Sequence, residues 1–397
     1  MDETRFKSKI SGEVRISDRG FYAYFQPHDL PFEMNLSPET RKACNEALMA
    51  LSRLDGRSPD MSPKERNTFL LNFTLKESVH SSSIEGTTST LSDMFLQEVE
   101  DVGESVRRDA KEVSNYRDAL ELGMQRIKES RRVDIELLHS MHKVLMDSVR
   151  GGSKSPGEFK TEQNAIGRPG DTLDSALMVP APPESVEHLI ENLIEYIDSY
   201  DDPIVKAALV HYQFEAIHPY RDGNGRMGRL LIMLLLQMEG VLAYPMIYPS
   251  EYFDRNRDQY IDALSAVSSD DKIEEWIEFF AIALKNQAED SMDTINALRS
   301  YRDRLKETYG KSATLIHAIE LSFSNPYIRP NDLSEVAEVT HPTAIRALKD
   351  LESEGVLREI TGRSRNMVFL AEGVLEILSG KKTLNQKREC ERHPSKA

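Results

Sequence analysis

Apolar residues recur along most of this chain at every third or fourth position, the spacing of one helical face, and strict alternation is scarce. On that pattern residues 38–55 and 62–80 read as amphipathic helices. Residues 105–130 and 133–148 read as two more, the second with Ile135, Leu138, Met141 and Leu145 along one side. Residues 150–183 interrupt the pattern with repeated Gly and Pro and read as loop. Helices resume at about 184–200 and 203–216, from Asn224 onward, near 250–267 and over 271–299. "SPET", from Ser37, supplies an N-cap with a glutamate behind it.

The pattern changes after about residue 305. "RDRLKETYGKS" is polar, ends at a glycine, Gly310, and reads as a linker. A helix over 312–322 follows, then "RPNDLSEVAEV", a second helix with Asn331 or Asp332 as cap. "THPTAIRALKDLESEG" is a third, capped by Thr340 and stopped by Gly355, with Ile345, Leu348 and Leu351 facing inward. "VLREITGRSRNMVFLA" reads as a two-stranded hairpin. Three helices and a hairpin in this order predict a winged helix-turn-helix domain. The seventeen residues from Lys381 are polar and predict a disordered tail.

Composition narrows the function classes. At 397 residues, 29% charged and 39% hydrophobic, the chain predicts a soluble protein of two or three domains. The longest charge-free apolar run near 230–238 is too short to span a bilayer, and "MDETRFKSKISGE" has no apolar core, so no secretory leader is expected. Cys44 and Cys390 are too sparse for a disulfide framework, which points to the cytoplasm. A formal charge of −16 argues against broad electrostatic binding of nucleic acid. Residues 311–380 hold ten acids against seven bases, so DNA binding by that module is less favoured than dimerisation or target recruitment, despite Arg346 and Lys349 on the third helix and Arg358, Arg363 and Arg365 on the wing.

One stretch concentrates chemistry: "AIHPYRDGNGRMGRLL", residues 216–231. Pro219 closes the helix before it. "RDGNG" is a loop of residues that tolerate unusual dihedrals, and "RMGRLLIMLLLQM" is apolar nearly all round, a buried helix. The unpaired N–H groups of that helix's first turn form an anion site, which Gly223 and Gly225 let a phosphate approach. Arg226 and Arg229, three apart on one face, suit a di- or triphosphate. Asp222 is an oxygen ligand for a hard cation such as Mg²⁺, shared with phosphate oxygens. His218 at the loop entrance can take a proton from a hydroxyl. A lone histidine before proline or a lone Gly-Asn-Gly turn is usually structural; the combination points to function.

The run from His218 to Arg229 resembles the signature of the Fic (filamentation induced by cAMP) family, with Tyr220 where phenylalanine is commoner. "GFYAYFQPHDLP", "PGEFKTEQNAIG", "MVPAPPESVEHLIENLIEYI" and "EEWIEFFAIAL" also look like Fic segments, extending the resemblance over roughly residues 10–300. The resemblance implies a mainly α fold: a Fic helical bundle with a small β-hairpin flap, divided here into an N-terminal helical region (1–100), a catalytic domain (101–300), the winged helix (301–380) and the tail (381–397). It implies transfer of AMP from ATP, with Mg²⁺, to a Ser, Thr or Tyr hydroxyl of a protein, itself included, with release of pyrophosphate. On this reading His218 is the general base, Asp222 binds the metal, Asn224 with the backbone of Gly223 and Gly225 forms the anion hole, and Arg226 and Arg229 hold the triphosphate. Ala176, Leu177, Met178 and Val179 match the flap that aligns a target segment by strand addition, and Tyr260 matches a position near the adenine or an ordinary core aromatic.

"VHSSSIEGTTSTL" adds a second element. Serines followed by Glu-Gly can simply end a helix, but Ser81, Glu85 and Gly86 match the inhibitory motif of autoinhibited Fic proteins. There the glutamate pairs with the second signature arginine, here Arg229, and occupies the γ-phosphate position. Competing readings are removal of AMP or use of another nucleotide or phospho donor at the same site, and a transcriptional regulator whose Fic domain serves as a sensor. A homodimer is an expectation from the family alone.

Overall fold

The computed structural model describes residues 1–17, 21–149, 151–152, 154–167 and 170–380. The tail expected from Lys381 lies outside the described residues. The first elements are strands β1 (Gly12–Ile16) and β2 (Ala23–Pro27), then helices α1 (Pro38–Asp55), α2 (Pro63–Ile84), α3 (Leu91–Gln97), α4 (Glu104–Ser130) and α5 (Ile135–Leu145). After a long loop come α6 (Pro183–Asp198), α7 (Pro203–Ile217), α8 (Asn224–Met238), α9 (Pro249–Arg255), α10 (Arg257–Asp270) and α11 (Ile273–Tyr309). The chain continues through α12 (Ala313–Ser324), β3 (Tyr327–Ile328), α13 (Pro330–Val336), α14 (His341–Ser353), β4 (Arg358–Glu359), β5 (Phe369–Leu370) and α15 (Glu372–Leu378). The fold is mainly α, as the periodicity predicts. No described helix is long and apolar enough to cross a membrane.

Two compact units divide the chain: one of Met1–Asp60, Lys76–Thr88 and Lys111–Glu289, the other of Met61–Leu75, Ser89–Ala110 and everything from Asp290 on. In the first unit the core is the pair α7 and α8, packed on each other. Both are buried on nearly every face, so apolar residues run around them instead of along a stripe. Asp202 caps α7, accepting from the N–H groups of Ile204 (2.9 Å) and Val205 (3.1 Å), and Pro203 stands at N1. Trp276 of α11 is fully buried and donates its indole N–H to Ala208 O at 2.9 Å. Glycine at position 123 lets α4 approach closely, since a Cβ there would stand 2.9 Å from the Leu234 and Met141 side chains, which would have to shift.

Ser37 caps α1 as expected, but position N3 is Thr40, so no local glutamate completes the cap. Glu274 of α11 supplies that carboxylate, accepting from Ser37 N at 3.0 Å. The antiparallel ribbon of β1 and β2, in register from Gly12 opposite Pro27 to Ile16 opposite Ala23, was not legible as alternation. The helix expected near 250–267 is interrupted at Asn256 and forms α9 and α10.

The polar "RDRLKETY" is not a linker: α11 runs unbroken through it to Tyr309. Arg, Lys, Glu and Leu are good helix formers, and Leu305 extends a buried stripe already formed by Ile295 and Leu298. In the second unit α12, α13 and α14 are followed by β4 and β5, with β3 completing a sheet of order β3-β5-β4. The cap of α13 is Arg329, with Pro330 at N1, rather than Asn331 or Asp332; Asp332 sits at N3 and accepts from Arg329 N at 3.0 Å. Thr340 stands at the N-cap of α14, and Gly355, at φ +72°, ends it.

Candidate active site

The chain leaves α7 through an unusual residue. His218 adopts a left-handed conformation, φ +51°, with its N–H on Phe214 O at 2.9 Å. Such a conformation in a non-glycine residue has to be held, and several partners hold it. Lys160, buried, donates its backbone N–H to Pro219 O (2.8 Å) and its ammonium to Ile217 O (3.2 Å) and Asn164 Oδ1 (2.8 Å). Asn164 in turn donates to His218 O (3.2 Å) and Tyr220 O (2.9 Å). Tyr220 stacks on His142, ring centroids 3.7 Å apart. Gly157 N–H donates to His142 Nδ1 at 2.9 Å, so the ring hydrogen sits on Nε2 and is donated to Asp222 O at 3.0 Å. Burial pushes His142 down to about 4, so it holds the loop as a neutral ring.

The loop delivers the start of α8. Gly223, at φ +76°, is the N-cap and makes no side-chain cap, leaving first-turn N–H groups for an anion. The Asn224 side chain is not directed at that anion position. Its Oδ1 accepts from Tyr220 N and its Nδ2 donates to Tyr220 O, both at 2.8 Å. The Asn224 side chain therefore braces the loop, which leaves main-chain N–H groups as what an anion hole here would consist of. A Cβ on Gly225 would overlap Glu85 Oε1, so a carboxylate already lies against this helix start.

That carboxylate accepts from Arg229 Nη2 at 2.7 Å. Arg229 also donates from Nε to Ser81 Oγ (2.9 Å) and from Nη2 to Ser81 O (2.8 Å). Helix α2 ends at Ile84, and Gly86, at φ +99°, turns the chain away so that Glu85 projects from the helix end. Burial opposes the charge on both partners, but each outweighs it for the other: Glu85 is held below the usual carboxylate range and Arg229 above its usual value. The Arg229 side chain is 1% exposed and that of Glu85 35%, so Glu85 is the more accessible partner of the pair. Arg226 pairs with Glu112 of α4 at 3.2 Å, both nearly buried.

His218, Arg229, Glu85, Ala176, Leu177 and Tyr260 line one groove of about 790 Å³. Burial, with Lys160 nearby, pushes His218 down to about 4, against pulls from the Glu215 main chain, Glu85 and Asp222. The ring is therefore neutral at neutral pH and able to accept a proton. Asp222 accepts from Lys154 at 2.8 Å through Oδ2 and from Gly223 N at 2.8 Å through Oδ1; burial opposes its charge, and Lys154 outweighs burial and lowers it.

At the flap, Met178 and Ile166 exchange both main-chain hydrogen bonds (2.8 and 3.1 Å), and Val179 O accepts from Phe25 N at 2.8 Å. Ala176 N–H donates to Thr172 O at 2.9 Å, which leaves the main chain of Leu177 without a hydrogen bond among the described residues. Tyr260 is buried as a core aromatic would be: its hydroxyl bonds His211 Nε2 at 2.8 Å and its ring stacks on Phe253 at 4.7 Å. It also lines the groove.

Sequence reasoning missed Glu112, Lys154, Lys160, Asn164 and Glu215, all of which touch or flank this site. Lys160 and Asn164 lie inside the Fic-like segment "PGEFKTEQNAIG", which was the available signal.

Helices pack around a helix start that an internal carboxylate touches beside a neutral histidine, and the comparisons say which proteins this chain is similar to. Residues 132–236 match the model of the Fic/DOC family and residues 41–125 that of the Fic/DOC family N-terminal region. The chain therefore carries a Fic/DOC domain preceded by that family's N-terminal region. It is 30% identical over 131 residues to the protein adenylyltransferase fic-1 of Caenorhabditis elegans, covering 31% of this chain and 23% of that one. It is 29% identical over 215 residues to the protein adenylyltransferase Fic of Drosophila yakuba, covering 51% of this chain and 38% of that one. The chain thus spans less than two fifths of the length of these curated relatives. A Fic family protein from Desulfovibrio desulfuricans shares the fold with a TM-score of 0.56 at 19% identity, over 85% of this chain and 97% of that one. A Fic domain protein from Bacteroides thetaiotaomicron gives 0.52 at 20% identity, over 64% and 97%.

Proposed function

We propose that this chain is a protein adenylyltransferase held off by its own Glu85. It transfers AMP from ATP to a Ser, Thr or Tyr hydroxyl of a protein, its own included. The observation that carries this reading is the Glu85 carboxylate on Arg229 at the start of α8, in the groove that His218 lines. An anion site filled by an internal carboxylate is a site built for another anion.

In the reaction the target O–H bond breaks and its proton passes to His218. The target oxygen bonds to the α-phosphorus, the bond from that phosphorus to the bridging oxygen breaks, and pyrophosphate leaves with the electron pair. Arg226 and Arg229 bind the phosphates, and α8's first-turn N–H groups stabilise the charge that develops. Leu177, with open main-chain groups, offers an edge on which an extended target segment can add.

No cluster of three or more His, Cys, Asp or Glu among the described residues could hold a metal alone. One carboxylate, Asp222, with triphosphate oxygens is a donor set that suits Mg²⁺, provided Lys154 yields its place. The ion supplies charge neutralisation at the phosphates when bound. We read α12–α14 with the β3-β5-β4 sheet as a winged helix that serves dimerisation or target recruitment, and the protein as cytoplasmic.

The test is incubation of Glu85→Gly, with and without His218→Ala, with labelled ATP and lysate. AMP adducts, identified by mass, are expected to rise sharply in the single variant and vanish in the double. Unchanged AMP incorporation in Glu85→Gly removes autoinhibition. A UMP, phosphate or phosphocholine adduct, or loss of AMP from a modified protein, removes the adenylyltransferase assignment. A His218→Ala variant with full biological effect would leave the regulator reading in its place.

A further inference from the structure

Two buried polar atoms in this site make no well-formed hydrogen bond: Glu215 Oε1 and His218 Nδ1, although the Glu215 main chain pulls on the His218 ring. They belong to side chains three residues apart at the end of α7, with Glu215 Oε2 3.8 Å from His218 Nδ1. Buried polar groups are nearly always paired, so both orphans need an explanation; the oxygen that faces Nδ1 is Oε2, while Oε1 lies against Gly228. The carboxyl has a slot made for it. A Cβ on Gly228 of α8 would stand 2.7 Å from Glu215 Oε1 and 3.1 Å from the His211 ring. Glycine at 228 is therefore what admits this carboxyl into the core beside the base. With Nδ1 turned inward, Nε2 is the nitrogen left for the groove.

We propose that Glu215 is the positioning residue for His218: its carboxylate accepts Nδ1–H, which directs the Nε2 lone pair to the target hydroxyl, and its protonated form reverses the tautomer and disables the base. The protonated carboxyl donates O–H to Nδ1, the ring hydrogen then resides on Nε2, and no lone pair faces the groove. A rotation that closes the 3.8 Å separation makes either bond.

Charged and titratable groups around the carboxyl set where it switches. His211 and His218 face it from α7, Arg229 from α8, Glu85 from the end of α2, Tyr260 from α10, and Lys160 flanks His218. Burial pushes Glu215 up to about 7, against the pull of Arg229 and with a push from Glu85. His218, down at about 4, is neutral throughout that range. Activity should then rise with pH as Glu215 loses its proton, and the acid limb should belong to the glutamate, not to the histidine.

The inference rests on His218 acting as the base, so its test includes a measurement that needs no turnover. In isotope-labelled protein that retains Glu85, since this measurement needs no turnover, the His218 ring nitrogens are assigned by comparison with His218→Asn. The parent should show the Nδ1–H tautomer above neutral pH and the Nε2–H tautomer below it. Glu215→Gln, of the same shape, should lose this pH-dependent exchange, and Glu215→Ala should lose the preference. In AMP transfer, Glu215→Ala should lower kcat about ten- to a hundredfold with KM for ATP unchanged. Glu215→Gln should recover part of kcat with the acid limb gone; in the Glu85→Gly background used for these assays, that limb lies lower than in protein that retains Glu85. Identical His218 ring spectra in the parent and both variants across neutral pH overturn the proposal, because the Glu215 main-chain carbonyl then suffices. If instead the tautomer responds and no variant transfers AMP, the proposal stands and the function reading falls.

Discussion

Glu112 on α4 and Arg226 on α8 form an ion pair at 3.2 Å in which both side chains are almost closed to water. Arg226 is therefore already neutralised, as Arg229 is by Glu85 and Asp222 by Lys154. Each charge that a nucleotide with its cation would engage has an internal counter-ion. The exposure of these counter-ions differs, and so should the results of removing them.

Glu112→Gln strands a buried guanidinium, which costs about 3–5 kcal/mol when nothing replaces the lost charge. The variant should melt several degrees lower than the parent. Triphosphate can supply the missing anion, so ATP should raise its melting temperature by more than it raises that of Glu85→Gly alone. Equal shifts on adding ATP would show that Arg226 does not meet the phosphates.

Lys154 and Asp222 make the opposite case. Their side chains are 47% and 33% exposed, and an exposed pair contributes about 0–1 kcal/mol. Lys154→Gln should therefore tighten binding of a divalent cation with nucleotide by at most about fivefold, and less at high salt. Manganese titration followed by electron paramagnetic resonance reads this directly. Weaker binding in the variant would mean that Lys154 assists the cation site instead of competing for it.

Lys160 and Asn164 act on His218 through its main chain. Asn164→Ala removes the donor to His218 O and Tyr220 O and relaxes a conformation that costs about 1–3 kcal/mol to hold. The expected result is a kcat lower by about ten- to a hundredfold with KM for ATP little changed, because the phosphate-binding turn is braced separately by Asn224. A rise in KM with kcat intact would place the clamp's effect on the nucleotide.

What could be read from the sequence follows how local each interaction is. His218, Asp222, Gly225, Arg226 and Arg229 lie on one turn and the helix it starts, so their spacing carries their geometry. Partners from afar do not announce themselves: Glu112 meets Arg226 across 114 residues and Lys154 meets Asp222 across 68. Glu215 is a different failure, because it is only three residues from His218. An acid in a helix apolar on nearly every face was the available signal, and it passed as one polar position among many. The helix expected over 271–299 is α11, but its continuation to Tyr309 is not legible in the sequence, because polarity alone does not mark a break among residues that are good helix formers.

The C-terminal module offers the last test, of whether its basic residues serve nucleic acid. Arg358 pairs with Glu372 at 2.6 Å, Arg329 with Asp332 at 2.6 Å, and Arg363 with Glu100 at 2.7 Å, all within the second compact unit. Arg365 is exposed, as are Arg346 and Lys349 on α14, but ten acids among residues 311–380 outnumber seven bases. Non-specific DNA affinity comes from phosphate neutralisation and counterion release, and a net acidic surface with paired arginines provides little of either. The full chain should therefore not shift duplex DNA in a gel at physiological salt. Glu100→Gln, which frees Arg363, should not rescue binding either, since one released charge changes the salt slope by only about 1. A shift that weakens with salt and disappears in Arg363→Ala would assign the wing to DNA after all and displace dimerisation or target recruitment as its role.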